Sequence, residues 1–410
     1  MLGSMILVTV AGYVNEKIGP KRAAILSALF VALGWSIIAT AKSVTQLVIG
    51  RFVVGLGGGL QIVTVILFVG EISQPSTRGL LLPVICFMYS LGTLVSYIEG
   101  WFFSYDVVNY STLTMIVVFI VIAMFLKETP QHLLRCGMEK EALTSLKFYR
   151  GTSTTSQEIL DELLYLQAQL GTSEIKNSSG SSLQKIKLES EVEKLNEENN
   201  KFERKNPEQS PWQILRSSKT SQRAIVILSV HMILAVLMGM IGIQTYAGQL
   251  FKRAAPDISP DLCSVILAIV LSISSAAAIF ITDLFSRRFL MIASCVSSAI
   301  FMALLASMLR WSWAPELGIP LTIVLFCIFF QLGAINVPFV QIPECLIPQL
   351  QSFGSTFTMC CMFLANFTVL YLFEPTVSLV GLDGIFFLFS LISLLTAVVS
   401  YLFMRETRKV

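Results

Sequence analysis

The residues with most chemistry to offer stand where long apolar stretches end. In VGEISQPSTRG (69–79), Glu71 closes an uncharged run and Arg78 follows seven positions on; Glu344 and Gln351 repeat that spacing. Asp283 is followed by Arg287 and Arg288, and Glu16 by Arg22. Carboxylates and guanidiniums at the rim of an apolar segment form partly hydrated ion pairs of about 0.5–2 kcal/mol each. Such pairs suit contacts that are made and broken, and equally suit simple anchoring at an interface. Nothing in the apolar stretches pairs a nucleophile with a base, which weighs against an enzyme. GLGGGL (55–60) lacks the Lys-Ser/Thr ending of a phosphate loop and reads instead as close helix packing. His132 and His231 are far apart, and the eight Cys show neither metal nor disulfide spacing, so no metal and no cofactor is expected.

The elements that carry these residues must lie in a bilayer. The chain has 410 residues, of which 54% are hydrophobic and 13% charged, against about 25% charged in soluble domains. Ten apolar stretches, 23–41, 52–70, 80–98, 107–126, 224–250, 262–282, 289–309, 317–342, 353–373 and 381–404, uncharged but for Asp383 in the last, are long enough to cross as helices. An eleventh, MLGSMILVTVAGYV, is short. It lacks the basic start and the cleavage site of a signal peptide and reads as a helix without its beginning. If loop 15–22 is cytosolic, alternation puts 24 of the 29 Lys and Arg on that side, together with the 128–222 segment and the C-terminus. The net charge of +3 therefore reports orientation, and no nucleic-acid partner is expected. Asn109-Tyr-Ser falls in an expected outer loop and is a glycosylation candidate.

From Lys127 to Arg223 the chain is polar, with a Ser/Gly turn at 177–182 between two helical patterns. Within 183–205, Leu188, Val192, Leu195 and Phe202 keep an apolar rhythm. An amphipathic helix resting on the membrane domain, a coiled-coil contact with a protein partner, and disorder are all open readings.

An internal repeat organises the rest. Glu16-x-x-Gly-x-Lys-Arg pairs with Asp283-x-x-Ser-Arg-Arg, Glu71 with Glu344, and Glu128-Thr129 with Glu406-Thr407, at offsets of 267, 273 and 278. All three marks fall on one membrane side in both copies. Parallel repeats of this kind place a substrate site between two bundles. The fold expected is an all-α membrane protein of two helical bundles, with five and six spans. The expected segments are 1–127, a cytosolic linker 128–222, 223–404, and a tail 405–410.

Taken in order, Gly12…Glu16…Gly19…Lys21-Arg22, Arg51…Gly55-Leu-Gly57-Gly58-Gly59, Glu71…Arg78-Gly79, Glu128-Thr-Pro130, Asp283…Arg287-Arg288, Pro338-Phe339…Glu344 and Glu406-Thr407 resemble the sugar porters of the major facilitator superfamily. Their facilitative hexose and insect trehalose transporters are the most similar branches. The resemblance implies a major facilitator-type fold in the plasma membrane, with facilitative alternating-access transport of a small neutral solute of the hexose or trehalose-like sugar class. It also implies an inner gate of cross-bundle ion pairs among Glu16, Arg22, Glu71, Arg78, Asp283, Arg287, Arg288 and Glu344. Where the family has an Arg seven residues after the second Glu, this chain has Gln351, leaving Glu71 to turn to Arg78 or Arg288.

The cavity implied by the resemblance departs further. Its candidates here are Cys86, Met238, Gln244, Tyr246, Phe339, Phe363 and Asn366, of which only Gln244 and Asn366 keep amides. Leu271 stands where the family has an Asn. An unpaired polar group costs a polyol about 1–3 kcal/mol, so tight binding of glucose or trehalose is not expected. A transport-inactive relative serving as a nutrient sensor or partner-binding protein is the alternative.

Restoring the absent cation gives a first test. Gln351→Arg is expected to shift the carrier toward its outward-facing state, read as lower cysteine-labelling accessibility from the inner side and higher accessibility from the outer side. Equal accessibility in wild type and variant contradicts the gate.

Overall fold

The computed structural model describes residues 1–74, 78–152, 157–169, 219–245, 259–311, 313, 317–346 and 348–404, and among these the regular structure is entirely helical. Five long helices open the chain: α1 Leu2–Ile18, α2 Pro20–Ala39, α3 Val44–Ile72, α4 Arg78–Phe102 and α5 Tyr105–Phe125. Three short ones follow: α6 Pro130–Arg135, α7 Glu139–Arg150 and α8 Gln157–Gln169. The second set comprises α9 Lys219–Leu237, α10 Pro260–Leu284, α11 Arg287–Trp311 and α12 Gly318–Phe330, the last running through a π-helical turn Gln331–Ile335 into α13 Asn336–Cys345. The final helix, α14, spans Pro348–Phe403.

Among the described residues, nine helices are long and apolar enough to cross a membrane. They carry all ten of the stretches expected from sequence, because α14 carries two. Its 56 residues would extend about 84 Å as one rod, far beyond a ~30 Å hydrocarbon core. The chain leaves helical geometry at Gly381 (φ 83, ψ 167). Phe373 and Phe389, eight residues either side of that break, both pack on the α9 region, against Gly242 and Gly239. The break is therefore a reversal, and glycine supplies its positive φ without strain.

Local chemistry sets the other ends. Ser43 accepts a hydrogen bond from the Gln46 N–H at the start of α3, and Ser259 one from Leu262 at the start of α10. Gly19 (φ 91) followed by Pro20 turns α1 into α2.

The glycine run of α3 works as packing surface. A Cβ on Gly57 would fall 2.7 Å from Ser27 O of α2, and one on Gly59 would fall 2.2 Å from Ser4 O of α1. Both neighbours thus approach α3 to backbone distance on different faces. The two helix sets meet along α1 with α14 and along α4 with α10. At Gly12 a Cβ would lie 2.6 Å from Thr356 Oγ1 and 2.9 Å from Ser352 O of α14.

Gly59→Ala should therefore force α1 off α3 and cost about 1–3 kcal/mol, read as a lower melting temperature in detergent. Gly58→Ala, whose Cβ would meet nothing within 4 Å, is the matched control and should melt with the wild type. Equal melting of both variants contradicts this packing.

Candidate functional site

Where the two helix sets meet, part of the contact is a buried apolar cluster. A single buried cluster joins Val8 of α1, Leu67 of α3 and Cys86 of α4 to Leu228 of α9, Phe339 of α13 and Met359 of α14. Every one of these lies toward the membrane side on which α6–α8 emerge. These apolar side chains interdigitate between the bundles and pack that part of the contact.

One helical turn deeper, polar side chains from three helices meet. Ser90 of α4 (4% exposed), Ser275 of α10 (0%) and Gln331 at the start of the π turn (4%) are all buried. Their polar atoms are close: Ser90 Oγ to Ser275 Oγ is 2.8 Å, Gln331 Nε2 to Ser275 Oγ is 2.5 Å, and Gln331 Nε2 to Ser90 Oγ is 3.4 Å. Ser90 also donates to Cys86 O at 3.0 Å. A hydroxyl has one proton, so Ser275 must donate to Ser90. The hydrogen bonds then run one way, from Gln331 N–H to Ser275, to Ser90, to the Cys86 carbonyl, crossing from one bundle to the other.

The π turn that positions Gln331 is held by side chains. Asn336 Nδ2 donates to Gln331 O. Ser294 of α11 donates to Phe329 O (2.7 Å) and accepts from Ala334 N (2.9 Å). These bonds satisfy backbone groups that an irregular turn would leave bare in lipid. Asn336 Oδ1 and Asn366 Oδ1 are buried amide oxygens with no protein donor.

Toward the opposite face, α9 is interrupted at Gly239 (φ 96) and the chain resumes helical geometry over 240–245. Tyr97 OH of α4 donates to Gln244 O beyond that break at 3.1 Å, a second hydrogen bond between the bundles.

A polar assembly forms at the base of α3. Glu71, 6% exposed, accepts from Thr129 Oγ1 at 2.5 Å and lies 3.8 Å from Arg135 Nη1. Glu128 Oε1 accepts from the backbone N–H of Lys21 at 2.9 Å and of Thr129 at 3.2 Å. Arg150 donates to Ile72 O (3.0 Å), the end of α3, while paired with Glu162 (2.5 Å). Tyr149 donates to Lys127 O at 2.5 Å; burial pushes its pKa up to about 12, Glu128 adds to the rise, and the Lys127 bond opposes it. The short helices α6–α8 are thus bolted to the inner ends of α3 and α5. Gly19 fits between the Glu128 carboxylate (2.6 Å from an added Cβ) and His132 Cδ2 (2.9 Å).

The expected residues divide accordingly. Glu71 takes partners on its own side of the chain, Thr129 and Arg135, neither of which the sequence pointed to. Arg287 is buried and donates to Thr282 O, and Arg288 stacks on the Tyr401 ring at 5.1 Å. Glu16 and Arg22 are exposed, and Gln351 is buried. The side chains of Arg78, Asp283 and Glu344, all of Tyr246, and the 183–205 segment lie outside the described residues. Of the cavity candidates, Cys86, Phe339 and Phe363 pack in the apolar cluster between the bundles. Met238, with 0% exposure, packs in the core of the second bundle. Gln244 is half-buried, and Asn366 is buried with its free Oδ1.

Asn109 requires a correction. Instead of an outer loop it lies in the second turn of α5 and is 2% exposed.

Ser90, Ser275, Gln331, Asn336, Thr129 and Arg135 went unnoticed in the sequence. The available signal was position. Ser90 is one turn beyond Cys86, and Ser275 one turn beyond Leu271, so on both helices the polar group stands at i+4 from the site where an amide was sought.

The family model described as "Sugar (and other) transporter" matches residues 1–186 and 172–410. A facilitated trehalose transporter Tret1-2 homolog of Drosophila sechellia is 22% identical over 420 residues, covering 99% of this chain and 78% of that protein. Facilitated trehalose transporter Tret1 of Apis mellifera ligustica is 23% identical over 418 residues, covering 99% and 75%. Among solved structures, the proton:xylose symporter XylE bound to 6-bromo-6-deoxy-D-glucose superimposes with a TM-score of 0.78 at 18% identity, covering 99% of this chain and 85% of that one. At that identity the likeness establishes a major facilitator fold.

The docking of α6 should depend on pH. Burial pushes the His132 pKa below its ordinary 6.5; Glu128 pulls it up, while Arg135 and Arg22 push it further down. Above pH 6.5 both the docked and the released imidazole are neutral, and stability is complete. As pH falls below 6.5 the released form takes up a proton that the docked form resists, so stability is lost. The melting temperature should fall from pH 7.5 to 5.5 in wild type and fall less in His132→Phe. Parallel curves contradict this.

Proposed function

Because the chain belongs to the sugar (and other) transporter family, we propose that it is a facilitative carrier for a sugar-class solute, working by alternating access between its two bundles. The observation that carries this reading is the buried Gln331–Ser275–Ser90 chain, set between the bundles directly above an apolar seal. Hydroxyls and amides both donate and accept, which is the chemistry that recognises a polyol. The seal below them fits a state closed on the α6–α8 side. The outward-facing or occluded form of a rocking carrier requires that arrangement.

A facilitative mode agrees with the partners of two carboxylates on the spanning helices. Glu71 sits at a helix end with Thr129 and Arg135, and Glu99 accepts from Ser111 near the other end of its helix. Neither stands in the middle of the bilayer, where a proton relay would place one. The trehalose-transporting relatives support trehalose or a related sugar as substrate. The basic-residue count supports a cytosolic loop 15–22 and segment 128–222, and the plasma membrane is the location proposed with the carrier reading. The two bundles are taken as 1–127 and 223–404, with the linker between them.

Uptake into proteoliposomes tests the reading. Labelled trehalose or glucose should enter saturably, show counterflow from preloaded vesicles, and need no pH gradient. Binding of either sugar without flux would replace the carrier with the sensor reading. Uptake that collapses without a pH gradient would contradict the facilitative mode.

A further inference from the structure

The one-way hydrogen-bond chain has a mechanical position as well as a chemical one. Its two hydroxyls belong to helices of different bundles, and its amide belongs to the π turn of the α12–α13 rod. A π turn carries one residue more than the helix on either side, so it is a natural place for a rod to bend. The bonds therefore tie the first bundle, through Ser90, to a bendable point in the second. The chain also ends on Cys86 O, already bonded within its own helix, so Ser90 can change partners without leaving a backbone group bare. Ser275 differs: its proton is given across the interface to Ser90, so parting the bundles breaks that bond and turns the hydroxyl back to its own helix. A polar group entering between the two serines restores what is lost in the dry interface.

We propose that the Ser90–Ser275 hydrogen bond is a latch between the bundles, which a hydroxyl of the substrate opens by taking the place of the partner serine. The proposal rests on the carrier reading and adds to it the residues at which substrate occupancy and bundle separation are coupled. A solute with adjacent hydroxyls fits best, one accepting from Ser275 while its neighbour donates to Ser90. The Gln331 amide remains bonded to Ser275 throughout and keeps that hydroxyl oriented. Ser90 and Ser275 act together, so a solute that engages only one replaces half of the bond between them and does not release the latch. A ligand can shift the two-state equilibrium only by its differential affinity for the states, and here the difference is this one exchange of partners.

The test is the variant Ser90→Cys/Ser275→Cys in membranes, with each single substitution as control for the native thiols. The 2.8 Å separation of the two oxygens places the thiols for disulfide formation under copper-phenanthroline. The cross-link is expected to form rapidly, to abolish sugar uptake, and to release it again with dithiothreitol. Trehalose or glucose, against an equal osmolarity of sodium chloride, should slow cross-linking by about threefold, the effect of one interhelical hydrogen bond of average strength in a membrane. A cross-linked protein that transports at its reduced rate overturns the latch, because the serines would then form a fixed pivot. A cross-linking rate untouched by both sugars overturns it as well. Ser275→Ala, which removes the hydroxyl the substrate would meet, should uncouple sugar from cross-bundle separation. Absence of uptake in the wild type would sink the carrier reading separately, since cross-linking is read without flux.

Discussion

In a hydrocarbon interior every polar group must find its partner within the protein, and the architecture of this chain follows from that constraint. The helices satisfy their own backbones, and the few places where they cannot are closed by side chains: Ser294 and Asn336 at the π turn, glycine at the breaks at 239 and 381. What remains polar between the two bundles is concentrated in the serine–amide chain and the bond from Tyr97 to the chain beyond Gly239. Hydrogen bonds of this kind between bundles, each of modest strength in a membrane, can be exchanged at modest cost. A contact rich in them could not.

The side of the membrane bearing α6–α8 has a different task. There the charges do not link the bundles in the described residues; they bolt the connecting helices to α3 and α5. Glu71 is the shared point, held by Thr129 and Arg135, while Glu128 grips the α1–α2 turn at Lys21. Because Gly19 is wedged between Glu128 and His132, the first bundle and α6 behave as one rigid unit. Against the second bundle, apolar side chains pack around Val8, Phe339 and Met359. Packing of that kind is bistable, formed or absent, which suits a switch between two states.

Much of this was legible in the sequence. The apolar stretches appear as helices with little adjustment, because twenty apolar residues in a row admit one solution in a bilayer. The glycine run of α3 was correctly a packing surface, since close approach was the only use for small residues in mid-span. The repeat and the family motifs led to the fold because both are patterns over hundreds of residues. The partners of Glu71 were not legible: Thr129 and Arg135 reach it only through the way α6 folds back beneath α3. The serine–amide chain was missed for a simpler reason. Cys86 and Leu271 are as apolar in the structure as in the sequence, but polarity had moved one turn along both helices, to Ser90 and Ser275. A position-by-position comparison cannot register a shift that two helices make together.

The central claim is that the two bundles close on each other at the α6–α8 side and part there when the carrier turns over. Spin labels at Tyr13 on α1 and Phe357 on α14, both exposed at that end, measure it directly by pulsed electron–electron distance spectroscopy in lipid nanodiscs. The account predicts two distance populations, the shorter matching the packed contact, with their ratio changing when trehalose or glucose is added. A single population that no sugar alters would contradict it.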